Sequence, residues 1–191
     1  MNARMSYLVC YYSRAVNCIV GSVVAVRTFR ITKKRYLNDK VSSERKTVLI
    51  TGCDTGFGHL LAKHLDSKGF SVIACCLFPN DNGAKELQKS CSERLKVVGL
   101  DVTKDESVSQ AKEFVTKNLE DSELWAIVNN AGILKGVTIE LTSLRDFKDS
   151  LEVNTLGVVR VTQAFLPLLR KSKGRVVNLT SVAGKCQLST N

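Results

Sequence analysis

Three glycines, Gly52, Gly56 and Gly58, lie close together between a β-branched run and a run with helical spacing. A helix that begins at such a turn presents free backbone N–H groups and the positive end of its dipole, and glycine lets phosphate oxygens come close. The spacing T-G-x-x-x-G-x-G predicts that this turn binds the diphosphate of a dinucleotide cofactor. It differs by one residue from the G-x-G-x-x-G pattern, so a simple tight turn is the alternative.

The end of the next predicted strand, residues 70–77, is where such a sheet receives the adenosine ribose. An acidic residue there accepts hydrogen bonds from the ribose hydroxyls of NAD, whereas an Arg binds the 2′-phosphate of NADP. Here the strand ends in Cys76-Leu77-Phe78, which is neither acidic nor basic. Asp54 in the glycine turn would repel an added phosphate, so the sequence favours NAD, with NADP possible.

Two further groups of residues follow predicted strands. Asp101 comes at the end of residues 95–102, at the edge of a parallel sheet where ligands bind. Its alternative role is an Asx-turn or helix cap, although Thr103 also offers a cap. Residues 129–132, Asn-Asn-Ala-Gly, follow the next strand, and their small side chains suit a backbone that a flat ring approaches closely.

Strands and amphipathic helices alternate along residues 46–181, which predicts an α/β fold with a doubly wound parallel sheet of Rossmann type. The predicted strands are residues 46–51, 70–77, 95–102, 124–132 and 174–181. The predicted helices are residues 57–69, 83–92, 105–119 and 146–171, with Gly69 as the C-cap of the first. Asn154 lies inside the last of these helices, where Asn is a poor helix former unless its amide has a specific partner.

The motifs TGCDTGFG, DVT, NNAG, EVNTLG and GRVVNLTSVAGK occur in this order from residue 51 to residue 185. Together they resemble the short-chain dehydrogenase/reductase family, and the residues within the motifs are most similar to those of the branch of retinol, hydroxysteroid and D-3-hydroxybutyrate dehydrogenases. The resemblance implies the strand order 3-2-1-4-5-6-7, with strands 1 to 5 present here. It also implies an NAD(P)-dependent oxidoreductase acting on a hydrophobic alcohol or ketone: a retinoid, a hydroxysteroid or a 3-hydroxy acid.

The resemblance assigns roles to individual residues. Phe57 joins the three glycines in the turn that receives the diphosphate and ribose. Asp101 and Val102 flank the adenine, and Asn130, Ala131 and Gly132 line the ribose, while Asn129 joins strands. Asn154 holds a water molecule in a proton relay, and Ser181 hydrogen-bonds the substrate oxygen; for Ser181 the alternative is an ordinary turn residue.

The family's proton donor is a Tyr in the motif Y-x-x-x-K, and no Tyr occurs after Tyr36 in this chain. We therefore expect the chain to be the amino-terminal part of a longer enzyme, with the last strand as a bare edge. The full-length parent is expected to be an enzyme and a homo-oligomer. The alternative is a non-catalytic dinucleotide-binding or interaction protein derived from such an enzyme.

The basic charge is concentrated near the amino terminus. Residues 1–46 carry ten Lys and Arg against two acids, whereas residues 47–191 carry eighteen against sixteen. A domain so nearly neutral argues against a nucleic-acid partner. Seven irregularly spaced cysteines argue against a disulfide framework, and His59 and His64 do not share a helix face, so no metal site is expected.

Residues 7–26 are mostly apolar and precede a basic cluster. Three interpretations stay open: a membrane anchor, a mitochondrial presequence, and a leader without function. The first predicts a membrane partner and the endoplasmic reticulum membrane; the second predicts the mitochondrion. The chain is thus predicted to divide into a leader with linker, residues 1–46, and a partial dinucleotide-binding domain, residues 47–191.

Overall fold

A computed structural model describes residues 41–136 and 138–181 of the chain. The predicted leader therefore lies outside the described residues, and so does the final part of the last motif. The division into a leader and a domain stays a prediction. Among the described residues, none of the helices has the length and apolar character that crossing a membrane requires.

The described strands form one parallel sheet in the order β3-β2-β1-β4-β5. Its strands are β1 (Lys46–Thr51), β2 (Ser71–Cys76), β3 (Leu95–Gly99), β4 (Glu123–Asn129) and β5 (Arg175–Asn178). The predicted Rossmann-type fold and the strand order 3-2-1-4-5 are confirmed. All five carboxyl ends meet at one edge of the sheet, which is the edge where ligands bind in folds of this type.

The helices connect successive strands. They are α1 (Gly56–Ser67), α2 (Asn82–Ser90), α3 (Asp105–Asn118), α4 (Leu144–Leu151) and α5 (Val158–Lys171). A π-helical turn, Glu152–Gly157, joins α4 to α5. Where one helix over residues 146–171 was predicted, the structure has two α-helices with this turn between them.

Each face of the sheet has its own hydrophobic core. Alternate residues of the central strands point to opposite faces, so Val48 and Ile50 pack against α1 and α2, while Leu49 and Ile127 pack against α3 and α5. Phe165 of α5 is the largest fully buried side chain. The adjacent Cys75 and Cys76 divide between the two cores, as their positions in the strand predict.

Gly69 ends α1 in the way the sequence predicts. Its φ is +86°, and its N–H donates to the carbonyl of Asp66 at 2.9 Å while the N–H of Phe70 donates to the carbonyl of Leu65 at 3.1 Å. These two bonds make a Schellman motif, which requires a left-handed residue at this point. The motif turns the chain back toward the sheet. The buried Phe70 directly precedes β2.

Several predicted details are wrong. The strands predicted over residues 124–132 and 174–181 end at Asn129 and Asn178. The strand predicted to run through Val102 ends its ladder at Gly99, so Asp101 lies two residues past β3. Thr103 is not the cap of α3, because the N-cap residue is Lys104 and the Thr103 hydroxyl donates to Asp101 at 2.6 Å instead.

Candidate functional site

The glycine turn lies between β1 and α1 and has two residues in left-handed conformations. Gly52 has a φ of +70° and Gly56 a φ of +66°. A side chain at Gly52 would lie 2.8 Å from the Cα atom of Ala131, and one at Gly58 would overlap Gly52 and the Asn130 amide. Gly52 and Gly58 therefore allow close packing of the protein on itself, which the sequence-based assignment of all three glycines to a ligand did not include.

Gly56 differs from the other two glycines because its Cβ position faces open space, with no heavy atom of the described residues within 4 Å. It is the first residue of α1, and within the described part of the chain the N-cap residue Thr55 makes no side-chain cap hydrogen bond. Phe57 beside it is 80% exposed. The first-turn N–H groups of α1 are thus open to an incoming anion, and the positive end of the helix dipole supports one.

Asp54 connects the glycine turn to the end of β2. Its two carboxylate oxygens accept hydrogen bonds from the backbone N–H groups of Leu77, at 2.9 Å, and Phe78, at 2.8 Å. A side chain predicted to face a cofactor therefore also fixes the position of two neighbouring loops. Its charge lies at the end of β2.

The segment after β4 is locked against the glycine turn. The Asn130 amide donates to the carbonyls of Thr51 and Gly52 at 2.9 and 3.0 Å, and the Thr51 hydroxyl accepts from the N–H groups of Asn130 and Ala131 at 3.0 and 2.9 Å. Sequence reasoning did not single out Thr51, which is 1% exposed. Its position immediately before the first glycine was the available signal.

Asn129 joins β4 to its neighbours. Its amide donates to Asn178 on β5 at 2.8 Å and to the Thr162 hydroxyl of α5 at 3.2 Å. These contacts agree with the strand-joining role inferred for it. The side chain is 3% exposed, so it is placed to support the site from within and not to touch a ligand.

Asp101 forms an Asx-turn after β3. One carboxylate oxygen accepts from the Thr103 N–H at 3.0 Å and from its hydroxyl, and the other lies 3.3 Å from the Lys104 ammonium. Partial burial acts to raise the pKa of Asp101, but the hydrogen bonds from Thr103 and the Lys104 charge outweigh it and lower the pKa. Asp101 therefore forms the Asx-turn that the sequence offered as its alternative role, and its carboxylate lies at the sheet edge.

Val102 lies beneath the π-helical turn. It is 7% exposed, and a side chain at Gly157 would lie 2.8 Å from its Cγ2 atom. Glycine at position 157 therefore lets the turn approach the loop after β3. The adenine-flanking position proposed for Val102 is thus built partly by the helix that carries Asn154.

Asn154 lies in the π-helical turn, a feature that is frequent at functional sites. Its amide donates to the carbonyl of Ile133 at 2.8 Å and its carbonyl oxygen accepts from the Ile133 N–H at 2.9 Å. A Cβ added at Gly132 would be 3.3 Å from the same oxygen. Asn154 thus holds the backbone that follows Asn130 and Ala131, and the exposed side chain is accessible from the sheet edge.

Ser181 is exposed and lies three residues past β5, at the same sheet edge. The N–H of Leu179 still donates to the carbonyl of Asn129 at 3.0 Å, which extends the pairing of the two strands toward Ser181. The structure therefore places all the predicted site residues along one edge. It joins Gly52 to Asn130 directly, and it joins Asn154 to Ile133, the residue that follows Gly132.

Arg160 on α5 holds the loop that carries Val102, and sequence reasoning did not single it out. Its guanidinium donates to the Val102 carbonyl at 2.6 Å, to Glu152 at 2.7 Å and to Asp105 at 2.5 Å. These bonds connect the π-helical turn, the loop after β3 and the start of α3. An Arg within an otherwise apolar stretch of α5 was the only signal in the sequence.

Two adjoining cavities open at the glycine turn. One of about 650 Å³ reaches the end of β2 at Leu77 and Phe78, and one of about 440 Å³ lies beside Gly56; both are lined by Asp54 and Thr55. A third, of about 530 Å³, lies at the opposite edge, beside residues such as Lys96, and contains none of the predicted site residues. Residues of the glycine turn, of α1, of the loop after β2 and of α2 line the first two cavities.

A sequence model described as short chain dehydrogenase matches residues 46–191. Estradiol 17-beta-dehydrogenase 2 of Mus musculus is 50% identical over 151 residues, which are 78% of this chain and 40% of that protein. The mitochondrial D-beta-hydroxybutyrate dehydrogenase of Bos taurus is 53% identical over 144 residues, 73% of this chain and 42% of that protein. The chain thus spans less than half the length of these two relatives.

A solved structure agrees with the fold. The crystal structure of NADPH-bound carbonyl reductase from chicken fatty liver matches with a TM-score of 0.65 at 34% identity, over 72% of this chain and 58% of that one. The similarity therefore extends from the sequence motifs to the arrangement of the sheet and its helices.

Proposed function

The chain belongs to the short-chain dehydrogenase family, and on that premise we propose that its described domain binds NAD(P) for an oxidoreductase. The reaction is hydride transfer between the nicotinamide and a hydrophobic alcohol or ketone, as the names of the similar steroid and hydroxybutyrate enzymes suggest. The observation that carries the proposal is the open N-terminus of α1 at Gly56, next to a cavity that continues to the end of β2.

The residues present fit a dinucleotide. The uncapped first turn of α1 offers backbone N–H donors and a positive dipole to the diphosphate, and the Cβ position of Gly56 leaves room for its oxygens. In this proposal Asp101 would accept from the adenine amino group in addition to its bonds with Thr103 and Lys104, and the backbone of residues 130–132 would support the ribose and ring. A bound NAD(P) would supply the hydride acceptor or donor.

Two polar residues would act toward the substrate. Asn154, which holds the Ile133 backbone through both ends of its amide, would hold a water molecule of the proton relay beside the substrate. Ser181, exposed at the same edge, would donate to the substrate oxygen. We assign these two residues to catalysis and Gly52, Asp54, Gly56, Phe57, Gly58, Asp101, Val102, Asn130, Ala131 and Gly132 to the cofactor site.

The Gly56→Ala variant tests this site: its affinity for NAD⁺ and NADH is compared with that of the wild type by titration calorimetry. A side chain there disfavours the left-handed backbone and enters the space assigned to the phosphates, so affinity should fall about tenfold, or about 1.4 kcal/mol. Gly69→Ala is the matched control, since Gly69 also has a positive φ but lies at the other end of α1. Equal affinity in both variants and the wild type would contradict the proposal.

An alternative proposal concerns a polypeptide limited to these 191 residues, in which no Tyr follows Tyr36. A polypeptide of these 191 residues would bind the dinucleotide without turning over an alcohol, as a binding or interaction protein would. Steady reduction of NAD⁺ by the purified chain with a steroid, retinoid or 3-hydroxy acid would contradict this second candidate. Binding without reduction would support it.

For location and assembly, we propose the endoplasmic reticulum membrane, with the mitochondrion as the alternative. The apolar and basic composition of residues 1–46 supports an organelle, and one relative is a mitochondrial enzyme by name. A reporter fused to residues 1–46 separates the two locations by microscopy. A homo-oligomer of the full-length parent is the corresponding proposal for assembly, and it is tested by sedimentation.

A further inference from the structure

A basic turn joins α5 to β5. It consists of residues 170–175, and its four cations are all exposed: Arg170, Lys171, Lys173 and Arg175. No Asp or Glu follows Glu152 in this sequence, and within the described part of the chain none of the four cations forms an ion pair. The basic turn is therefore a patch of unpaired positive charge on a domain that is nearly neutral as a whole.

The backbone of the basic turn is held in one conformation by hydrogen bonds. The N–H of Lys173 donates to the carbonyl of Arg170 at 3.3 Å, and the N–H of Gly174 donates to the carbonyl of Leu169 at 2.8 Å. These two bonds make a Schellman motif like the one that ends α1. The Ser172 hydroxyl donates to a backbone carbonyl of β4 at 2.6 Å, so the turn is also fixed to the sheet.

Lys173 occupies a backbone position that favours glycine. Its φ is +50°, and it has the same place in the motif after α5 that Gly69, with a φ of +86°, has after α1. A side chain in this left-handed region is unfavourable, so a Lys here lowers the stability of the fold. Residues that retain such strain cluster at functional positions. Because glycine would suit the turn better, the fold alone does not explain the Lys173 side chain.

The helix dipole accounts for only half of the cations. Arg170 and Lys171 lie in the last turn of α5, where they complement the negative end of its dipole. Lys173 and Arg175 lie beyond the helix, where this effect has faded. Their charge is thus free to attract an anionic partner.

The aromatic ring beside the basic turn is already covered. The Arg175 guanidinium lies over the Trp125 ring, 3.9 Å from its centroid, and the same ring is stacked on Phe70. Proteins that bind single-stranded nucleic acids combine cations with aromatic rings on which the bases stack. The Trp125 ring is not available for that, so the basic turn suits anionic head groups better than it suits RNA or DNA.

The basic turn lies at the edge of the sheet where the strands begin, since β5 starts at Arg175. The residues assigned to the cofactor lie at the opposite edge. The chain also enters β1 at the edge of the basic turn, through Lys46, after residues 7–26, for which a membrane anchor is one interpretation. A membrane that met this edge would leave the cofactor site open to the solvent.

We propose that the basic turn is a docking surface for a membrane that carries anionic lipids. Its four cations contact the phosphate and carboxylate groups of the lipid heads, and each cation close to such a surface strengthens binding about fivefold. This contact belongs to the folded domain and is separate from any insertion of the amino-terminal segment. It does not depend on the proposed dinucleotide-binding function.

Trp125 reports on this surface directly, because it is the only Trp in the sequence and lies beside the basic turn. The 191-residue chain is mixed with phosphatidylcholine vesicles that contain roughly 30% phosphatidylserine and a lipid with a spin label on its head group. Docking should quench the Trp125 fluorescence by about half, and the quenching should disappear without phosphatidylserine or at about 0.5 M salt. A chain that binds these vesicles with Trp125 unquenched, or does not bind them, overturns the proposal.

Two double variants locate the contact. Lys171→Gln combined with Lys173→Gln should lower the affinity for the anionic vesicles at least tenfold and reduce the quenching. Lys85→Gln combined with Lys89→Gln is the matched control, since both are exposed cations of α2, next to β3 at the other end of the strand order. Equal losses would mean that total charge decides the binding, and would overturn the proposal. So would a basic-turn variant that loses binding to a short RNA but keeps its vesicle affinity.

Lys173→Gly separates docking from folding. Because glycine suits the left-handed position, the melting temperature should rise by about 2 °C, whereas the affinity for anionic vesicles should fall about fivefold. A purely structural role for Lys173 would change the melting temperature and leave the vesicle affinity as it is in the wild type. That result would overturn the proposal.

Discussion

Arg160 holds three parts of the site together through one guanidinium group. Hydrogen bonds to Glu152 raise its pKa, partial burial opposes this, and Asp105 adds to the rise, so the side chain stays charged throughout the usable pH range. Its side chain is only 21% exposed. Removing it would leave the Val102 carbonyl and the Glu152 carboxylate without this donor.

Arg160→Met should therefore lower the free energy of unfolding by about 2 kcal/mol, the usual cost of leaving partly buried polar groups without a partner. Urea denaturation followed by circular dichroism measures it. Arg170→Met, on the exposed surface of the same helix, is the control and should change stability by less than about 0.5 kcal/mol. Equal losses would show that the three contacts of Arg160 contribute nothing.

Asp101 gives the site a specific acid sensitivity. Its pKa is lowered in the folded state, so the ionised carboxylate contributes stability that is fully present above the unfolded pKa of about 3.9. That contribution is lost as the pH falls through the lower folded value. Asp101→Asn and Thr103→Val should both lose less unfolding free energy than the wild type between about pH 5 and 2.5 in urea titrations. Parallel pH profiles would contradict the assignment.

The π-helical turn is the element that sequence reasoning could not predict. The apolar spacing of residues 146–171 fits one continuous helix, whereas Asn154 in the turn bonds the backbone of Ile133, which lies more than twenty positions earlier and cannot be paired with it from local spacing. The strands were predicted well, because buried β-branched runs between glycines determine them locally. The packing of Gly52 and Gly58 on Asn130 and Ala131 was missed for the same reason as the turn.

Strand β2 carries two thiols into the sheet interior. Burial raises the pKa of Cys76 to about 12, helped by the nearby Asp54 charge, and burial raises the pKa of Cys75 well above its ordinary range. Cysteines react as thiolates, so both should alkylate with iodoacetamide at pH 8 at least a hundredfold more slowly than the half-exposed Cys91. Peptide mapping by mass spectrometry measures the rates, and comparable labelling of the three in the native state would contradict the fold.

Strand β5 is exposed along its whole length and, among the described residues, pairs only with β4. Val176, Val177 and Leu179 are 36%, 43% and 43% exposed. An open apolar edge favours pairing with another chain. The 191-residue chain should therefore self-associate at micromolar concentration in sedimentation velocity, and Val177→Lys should reduce this. A monomer that the substitution leaves unchanged would count against an accessible edge.

At the scale of the whole molecule, one edge of the sheet carries every residue assigned to the cofactor. The motifs predicted which strand ends to inspect, since a glycine turn, an acid and an Asn-Ala-Gly segment each follow a strand. They did not predict which polar atoms are already bonded within the protein: Asp54, Asp101 and Asn154 all have protein partners. Those partners depend on loops that meet only after folding.

Amide chemical-shift mapping of the ¹⁵N-labelled chain during NAD⁺ titration tests the central claim most directly. The account predicts saturable shifts at Gly56 and Phe57 and at Asn130 to Gly132, with Lys96 and Asn118 at the opposite sheet edge unchanged. Shifts confined to that opposite edge, or no saturable shifts at the N-terminus of α1, would contradict it.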